Sequence, residues 1–180
     1  MNLDAELQGL PTREAAYYVR LGLLLELFTL AEVSDWVDEV LWREEEPEEF
    51  FITLYGLLRT GKPRVPTYLK TAFAAETYSA RPLLGWLQQQ WATGRWPLSQ
   101  LIRSLYRLRT LVHSDQEVGW IYALAADYEQ AAGGPAEELL PVQQETEAFL
   151  ACYREYTFAN RGKWQQLDIK VEGYLANLRQ

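Results

Sequence analysis

The chain has 180 residues, an apolar fraction of 48%, and 25 acidic against 17 basic side chains. This balance is typical of one globular domain over residues 1–180, and it excludes a disordered chain, which would be poorer in apolar groups. One cysteine, Cys152, excludes an intramolecular disulfide, and the apolar stretch from Ala15 to Leu25 is interrupted by Arg20 and is too short to cross a bilayer. We therefore predict a cytoplasmic protein with no membrane contact.

The clearest helix start lies at Thr29. Thr29 and Glu32 have the spacing of a capping box, so a helix should begin at Leu30. Apolar residues then recur at steps of three and four, with acidic residues between them, which predicts an amphipathic surface helix. The apolar stripe consists of Val33, Trp36, Val37, Val40 and Leu41.

The same patterns predict about nine helices in all. The others are expected at Thr12 to Leu27, Pro47 to Arg59, Thr67 to Thr77, Pro82 to Thr93, Pro97 to Val112, from Ser114 onward, after Pro141, and at Trp164 to Leu178. Ser114 and Glu117 form a second capping box, and the uncharged segment from Val118 to Ala126 predicts a helix covered on most sides. Because no period-two alternation appears, the predicted fold class is all-α, a multi-helix bundle joined by short loops.

Charge is unevenly distributed along the chain. Residues 1–60 carry 13 acidic and 4 basic side chains, residues 61–113 carry 1 and 8, and residues 114–180 carry 11 and 5. The acidic maximum gives a candidate surface for a protein partner with a basic surface, and we name it the acidic surface. Its members are Glu32, Asp35, Asp38, Glu39, Trp42, Glu44, Glu45, Glu46, Glu48 and Glu49. The alternative is that these acids only keep the protein soluble.

We expect Trp42 to be the aromatic anchor of the acidic surface. At protein interfaces aromatic residues usually contribute most of the affinity, whereas charged residues mainly raise the association rate. It adjoins the cluster at residues 44–49 and falls just off the centre of the apolar stripe, whereas Trp36 lies within the stripe. The alternative is that both tryptophans belong to the core.

The basic maximum falls on the helix after Pro97. Arg103 and Arg107 lie one turn apart on the face opposite the leucines, where two guanidinium groups could clamp a phosphate. This supports an alternative function as a nucleic-acid or phosphate-binding accessory protein. The acidic field of the chain disfavours it, and we expect these arginines to pair with acidic helices of the chain itself.

No catalytic residue, metal site or cofactor is predicted. One histidine, His113, and one cysteine, Cys152, cannot assemble a structural metal site based on such ligands, and Cys152 is expected to be a buried thiol. Asp35 and Asp38 share a helix face as an acid and base pair would, but no phosphate-binding motif accompanies them. We therefore expect that the protein is not an enzyme.

The first sixty residues carry a resemblance to known proteins. The residues concerned are Tyr17-Tyr18-Val19-Arg20-Leu21-Gly22-Leu23, the Thr29 cap, Asp35-Trp36-Val37-Asp38 and Glu45-Glu46-Pro47. This region resembles small all-helical bacterial proteins of unknown function, some of which are regarded as immunity proteins of bacterial toxin systems. The resemblance implies an inhibitor without catalytic residues that occludes a basic toxin.

Overall fold

The computed structural model describes residues 2–73, 78–112 and 114–177. Within these ranges the chain forms ten α-helices and no β-strand, which confirms the all-α prediction. In chain order the helices are α1 (Leu3–Leu7), α2 (Thr12–Leu24), α3 (Leu30–Arg43), α4 (Glu49–Thr60), α5 (Val65–Thr71), α6 (Arg81–Ala92), α7 (Leu98–Leu108), α8 (Asp115–Ala131), α9 (Leu139–Ala151) and α10 (Trp164–Asn177). The predicted ends at Thr77 and Leu178 lie outside the described residues.

The chain divides into two compact units, unit 1 at residues 1–78 and unit 2 at residues 79–180. In unit 1, α3 packs on α1 and α4, and α5 packs on α2 and α4. In unit 2, α8 contacts α7, α9 and α10, while α6 contacts α7 and α9. The assignment of residues 1–180 to a single domain stays a prediction.

The end of α2 is set by a close approach at Gly22. The helix ends at Leu24, before the predicted boundary at Leu27, and the chain reverses through Glu26, whose φ of 63° is left-handed. The Leu27 N–H then donates to the Gly22 carbonyl at 2.9 Å. A Cβ on Gly22 would lie 2.2 Å from the Phe28 ring, so only glycine allows this ring to fold back on the helix.

The capping box at the start of α3 is present as predicted. The Thr29 Oγ1 accepts a hydrogen bond from the Glu32 N–H at 3.3 Å, and the Glu32 Oε2 accepts one from the Thr29 N–H at 2.8 Å. The apolar stripe behind it is buried except for the half-buried Leu41. The cap fixes where α3 begins, and the apolar stripe determines which side of the helix faces the core of unit 1.

Two predictions about α8 are wrong. Ser114 is the residue that precedes the helix, but its side chain makes no cap hydrogen bond within the described residues. Glu117 is only 1% exposed, because it lies on the buried face with Trp120 and Ile121, three and four residues further on. The helix is not covered on most sides either, since Tyr122 is 50% exposed.

Glycine also sets the packing of α6 in unit 2. A Cβ on Gly85 would lie 2.5 Å from the Tyr156 carbonyl oxygen and 3.1 Å from that of Tyr153. The backbone of α6 therefore approaches the segment after α9 more closely than any side chain would allow. This contact places the two tyrosines beside the start of α6.

Candidate functional site

The outer face of α3 carries four members of the acidic surface: Asp35, Asp38, Glu39 and Trp42. Their spacing places them on one side of the helix, and all four are exposed, Trp42 at 88%. Trp36 is only 4% exposed and packs edge-on against a core phenylalanine ring. The expectation that Trp42 lies just off the centre of the apolar stripe is therefore wrong. Trp42 comes two residues after the buried Val40, about 200° around the helix, so it points away from the core.

A recess of about 370 Å³ lies beside this face. It is lined by Asn2, Leu3, Asp4, Glu32, Asp35, Trp36 and Glu39. Asp4 is paired with Arg43, with 2.8 Å between Oδ1 and Nη1, and Glu32 belongs to the capping box. Asp35 and Glu39 form no salt bridge among the described residues, so they remain available to a cation from outside.

The other acidic residues are divided between solvent and local contacts. The three glutamates at residues 44–46 are exposed in the connector between α3 and α4. The Glu48 Oε1 accepts a hydrogen bond from the Thr12 Oγ1 at 2.6 Å, and Glu49 is exposed at the first position of α4, where the helix dipole favours an anion. Of the predicted acidic surface, the structure brings the α3 members together, and the recess links Asp35, Glu39 and Glu32.

A second charged cluster, which we name the Arg81 cluster, lies in unit 2. The Arg81 Nε lies 2.7 Å from the Glu117 Oε1, its Nη1 lies 2.6 Å from the Asp168 Oδ1, and its Nη2 contacts the Glu172 carboxylate. Each guanidinium nitrogen therefore has a carboxylate partner, and the residue ties the start of α6 to α8 and α10.

Two buried tyrosines complete the Arg81 cluster. The Tyr153 hydroxyl donates to the Glu117 Oε1 at 3.0 Å, and the Tyr156 hydroxyl donates to the Asp168 Oδ1 at 2.7 Å. Burial and the adjoining carboxylate raise the pKa of each phenol. Burial opposes the charge of Arg81, but the hydrogen bond to Asp168 and the other carboxylates outweigh it and raise the pKa of the guanidinium. The two phenols therefore stay protonated and the guanidinium stays charged at neutral pH, and the cluster acts as a structural support.

Sequence reasoning missed this cluster. The spacing of Ser114 and Glu117 predicts a capping box, but Glu117 also stands three, four and seven residues before the apolar residues Trp120, Ile121 and Leu124. A carboxylate that lies on the same helix face as an apolar stripe indicates a buried ion pair. Its partner Arg81 carries no comparable signal, because its sequence neighbours only mark the start of a helix.

The two arginines of the phosphate-binding alternative are both exposed on α7. Arg103 forms no salt bridge among the described residues, so the internal pairing expected for it is not seen. A neighbouring guanidinium, that of Arg109, is stacked on the Tyr106 ring at 3.8 Å from the ring centroid. Phosphate binding by Arg103 and Arg107 stays a prediction.

Other candidate chemistry can be located only in part. His113 lies outside the described residues. The Cys152 thiol is half-buried, its Sγ lies 3.6 Å from the Ala148 carbonyl oxygen, and burial raises its pKa, which disfavours a reactive thiolate. In the described ranges, no group of three or more His, Cys, Asp or Glu side chains is placed to hold a metal ion. None of the helices described is long and apolar enough to cross a membrane.

Comparison with known proteins finds no matching family model, no matching curated protein and no matching solved structure. The likeness to immunity proteins stays a prediction, and the function has to be argued from the residues of this chain.

Proposed function

We propose that the chain is a non-catalytic protein-binding module whose α3 face docks a basic protein, in the manner of an immunity-type inhibitor that occludes a basic toxin. The observation that carries the proposal is the exposure of Trp42, 88%, on the same helix face as three carboxylates. Tryptophan is enriched among the residues that dominate binding energy at protein interfaces.

The Trp42 side chain offers enough apolar area to anchor a complex. Burial of a tryptophan removes about 150–250 Å² from water, which at about 25 cal/mol per Å² amounts to ~4–6 kcal/mol before the costs of association. The carboxylates around it would mainly raise the association rate and set the orientation of a cationic partner.

The recess beside this face suits a basic side chain of the partner. Asp35 and Glu39 are separated by one helical turn, and both line the recess without a salt bridge among the described residues. A lysine or arginine that enters beside Trp42 would find two carboxylates, and its charge would be balanced there. This predicts a partner that presents a basic residue next to a pocket for an indole.

The proposal can be tested by affinity capture from native cell extract, followed by quantitative mass spectrometry. Two variants serve as baits beside the wild type: Trp42→Ala, and Asp35→Lys combined with Asp38→Lys and Glu39→Lys. We expect one basic protein to be bound by the wild type and lost from both variants. With that protein purified, Trp42→Ala should weaken the complex about 30-fold or more, the effect of a hot-spot residue worth about 2 kcal/mol.

A matched control makes the same charge change in unit 2. It combines Asp127→Lys, Glu145→Lys and Glu155→Lys, all at exposed positions. This control should capture the same protein as the wild type. If all baits recover the same proteins, or none recovers any, the α3 face has no role in recognition and the proposal fails. An inhibitor role further requires that the captured protein be toxic when expressed alone and harmless when co-expressed with the wild type.

A further inference from the structure

Unit 2 contains a groove of about 870 Å³ that neither the acidic surface nor the Arg81 cluster uses. Its walls are the end of α6, the segment at residues 94–98, and one side of α9. Small residues on both sides, Ala92, Ala148 and Ala151, leave it open. The volume is in the range of about 300–1,000 Å³ typical of binding sites for small ligands.

Two tryptophans line the groove, and among the described residues they have no aromatic or hydrogen-bond partner. Trp91 and Trp96 are half-buried, and within the described residues neither ring contacts another aromatic ring nor donates a hydrogen bond. Other tryptophans of unit 2 are engaged: the Trp86 ring lies 5.2 Å from that of Phe158, and the Trp164 Nε1 donates to a backbone carbonyl. An occupant of the groove can therefore reach two half-buried indole rings whose N–H donors have no partner among the described residues.

Gln88 adds a third unpartnered group. It is 8% exposed, it lines the groove, and its side chain makes no hydrogen bond to any described residue. Every fully buried side-chain nitrogen or oxygen of the described residues has a partner, so the Gln88 amide must reach the open space of the groove. An occupant of the groove can therefore form a hydrogen bond with the Gln88 amide.

The lining suits a neutral ligand that can accept hydrogen bonds from it. The donors are the two indole N–H groups, the amides of Gln88, Gln143 and Gln144, and the guanidinium of Arg154. Glu147 balances the charge of Arg154, so a phosphate or another anion gains little there. The amide oxygens and the Glu147 carboxylate can accept hydrogen bonds from sugar hydroxyls, so a saccharide is the alternative occupant that the experiment has to distinguish.

We propose that this groove binds a proline-rich segment of a partner protein in the polyproline II conformation. Such a segment has flat pyrrolidine rings for the indoles, no N–H on its prolines, and carbonyls without internal hydrogen bonds. The α9 wall from Gln143 to Ala151 is about 12 Å long, which matches about four residues at ~3.1 Å each. The proposal does not depend on the acidic surface, which belongs to unit 1.

The test is a titration of the ¹⁵N-labelled protein with decaproline, observed through the seven tryptophan indole N–H signals in NMR spectra. Signals of Trp91 and Trp96 are assigned from the variants Trp91→Phe and Trp96→Phe. We expect these two signals to shift in a saturable way and the others to stay. Gln88→Met, which keeps the length and removes the amide, should weaken binding about fivefold, the effect of one net hydrogen bond.

Gln165→Met, an exposed change on α10 outside the groove, is the matched control and should leave decaproline binding unchanged. Gln144→Met tests the same donor role at an exposed position of the groove wall, should Gln88→Met fail to fold. The proposal is overturned if decaproline shifts neither indole signal, or if a glycine–serine peptide of equal length shifts both equally. Saturable shifts with maltotriose in place of decaproline would assign the groove to saccharides and also overturn it.

Discussion

Unit 1 has 14 acidic and 7 basic residues in its sequence, and the α3 carboxylates at positions 35, 38 and 39 lie in solvent without salt bridges to described residues. Unit 2 has 11 and 10, and it folds three of its carboxylates around the single guanidinium of Arg81. Unit 1 also has an ion pair, between Arg43 and Asp4, but it lies at the surface. The role of an acidic residue thus depends on whether the fold places a cation against it, which a count of charges does not show.

The strongest test of this comparison removes Arg81. Arg81→Leu leaves Glu117, whose side chain is 2% exposed, without its cation, so we expect the free energy of unfolding to fall by about 3–5 kcal/mol. Arg43→Leu removes the exposed pair with Asp4 and should cost at most about 1 kcal/mol. Urea unfolding of both variants measures the difference.

A double variant distinguishes the loss of the Arg81 ion pair from the loss of side-chain packing. Combining Arg81→Leu with Glu117→Leu removes the unpaired carboxylate, and it should recover part of the stability because apolar residues can replace a buried ion pair. Equal losses for Arg81→Leu and Arg43→Leu would contradict the distinction between the buried and exposed pairs.

Glycine substitutions test the comparison between the two units through smaller changes in the free energy of unfolding. In unit 2, Gly85→Ala places a Cβ against the Tyr156 backbone carbonyl, which cannot move alone, and should cost about 1–3 kcal/mol. In unit 1, Gly22→Ala meets the Phe28 ring, which can rotate away, so we expect a smaller loss. Gly119→Ala, with nothing within 4 Å of the new Cβ, should instead gain up to about 1 kcal/mol of helix stability. Thermal unfolding that ranks Gly22→Ala above Gly85→Ala in cost would contradict this order.

The sequence predicted the parts of the fold that depend on neighbours along the chain. The Thr29 cap and the stripe of α3 need only residues within a few turns, and both appear where expected. The end of α2 was misplaced because it depends on Phe28 folding back over Gly22, and nothing in the local pattern marks that contact. Helix existence follows from local propensity and periodicity, whereas this boundary follows from tertiary packing.

The candidate site was predictable to a similar extent. The sequence pattern predicted an acidic surface and favoured Trp42 over Trp36 as its exposed aromatic residue. The prediction that Trp42 lies near the apolar stripe was wrong, because the helical period puts it on the opposite side of α3. The groove in unit 2 could not be found from sequence, since Gln88 and Trp91 look like any other residues of an amphipathic helix. Only the three-dimensional structure shows which side chains lack a partner.

The smallest expected effect concerns the hydroxyl of Tyr153 and its pH dependence. Burial and Glu117 raise the pKa of this phenol in the folded protein above its ordinary value near 10. Below pH 10 the phenol is protonated in both states, so its contribution to stability is complete. Above pH 10 the unfolded chain loses the proton first, so stability must fall as pH rises, by up to about 1.4 kcal/mol per pH unit.

Tyr153→Phe removes both the hydrogen bond and this titration. We expect a loss of about 1 kcal/mol at pH 7 and a shallower fall of the free energy of unfolding between pH 10 and 11 than in the wild type. Tyr174→Phe, at an exposed position of α10, should reproduce the wild-type slope. Every other ionisable group is common to the wild type and Tyr153→Phe, so the difference in slope isolates Tyr153. Parallel curves for Tyr153→Phe and the wild type would mean that the phenol ionises alike in both states, and the contact between Tyr153 and Glu117 would then not exclude water as its burial implies.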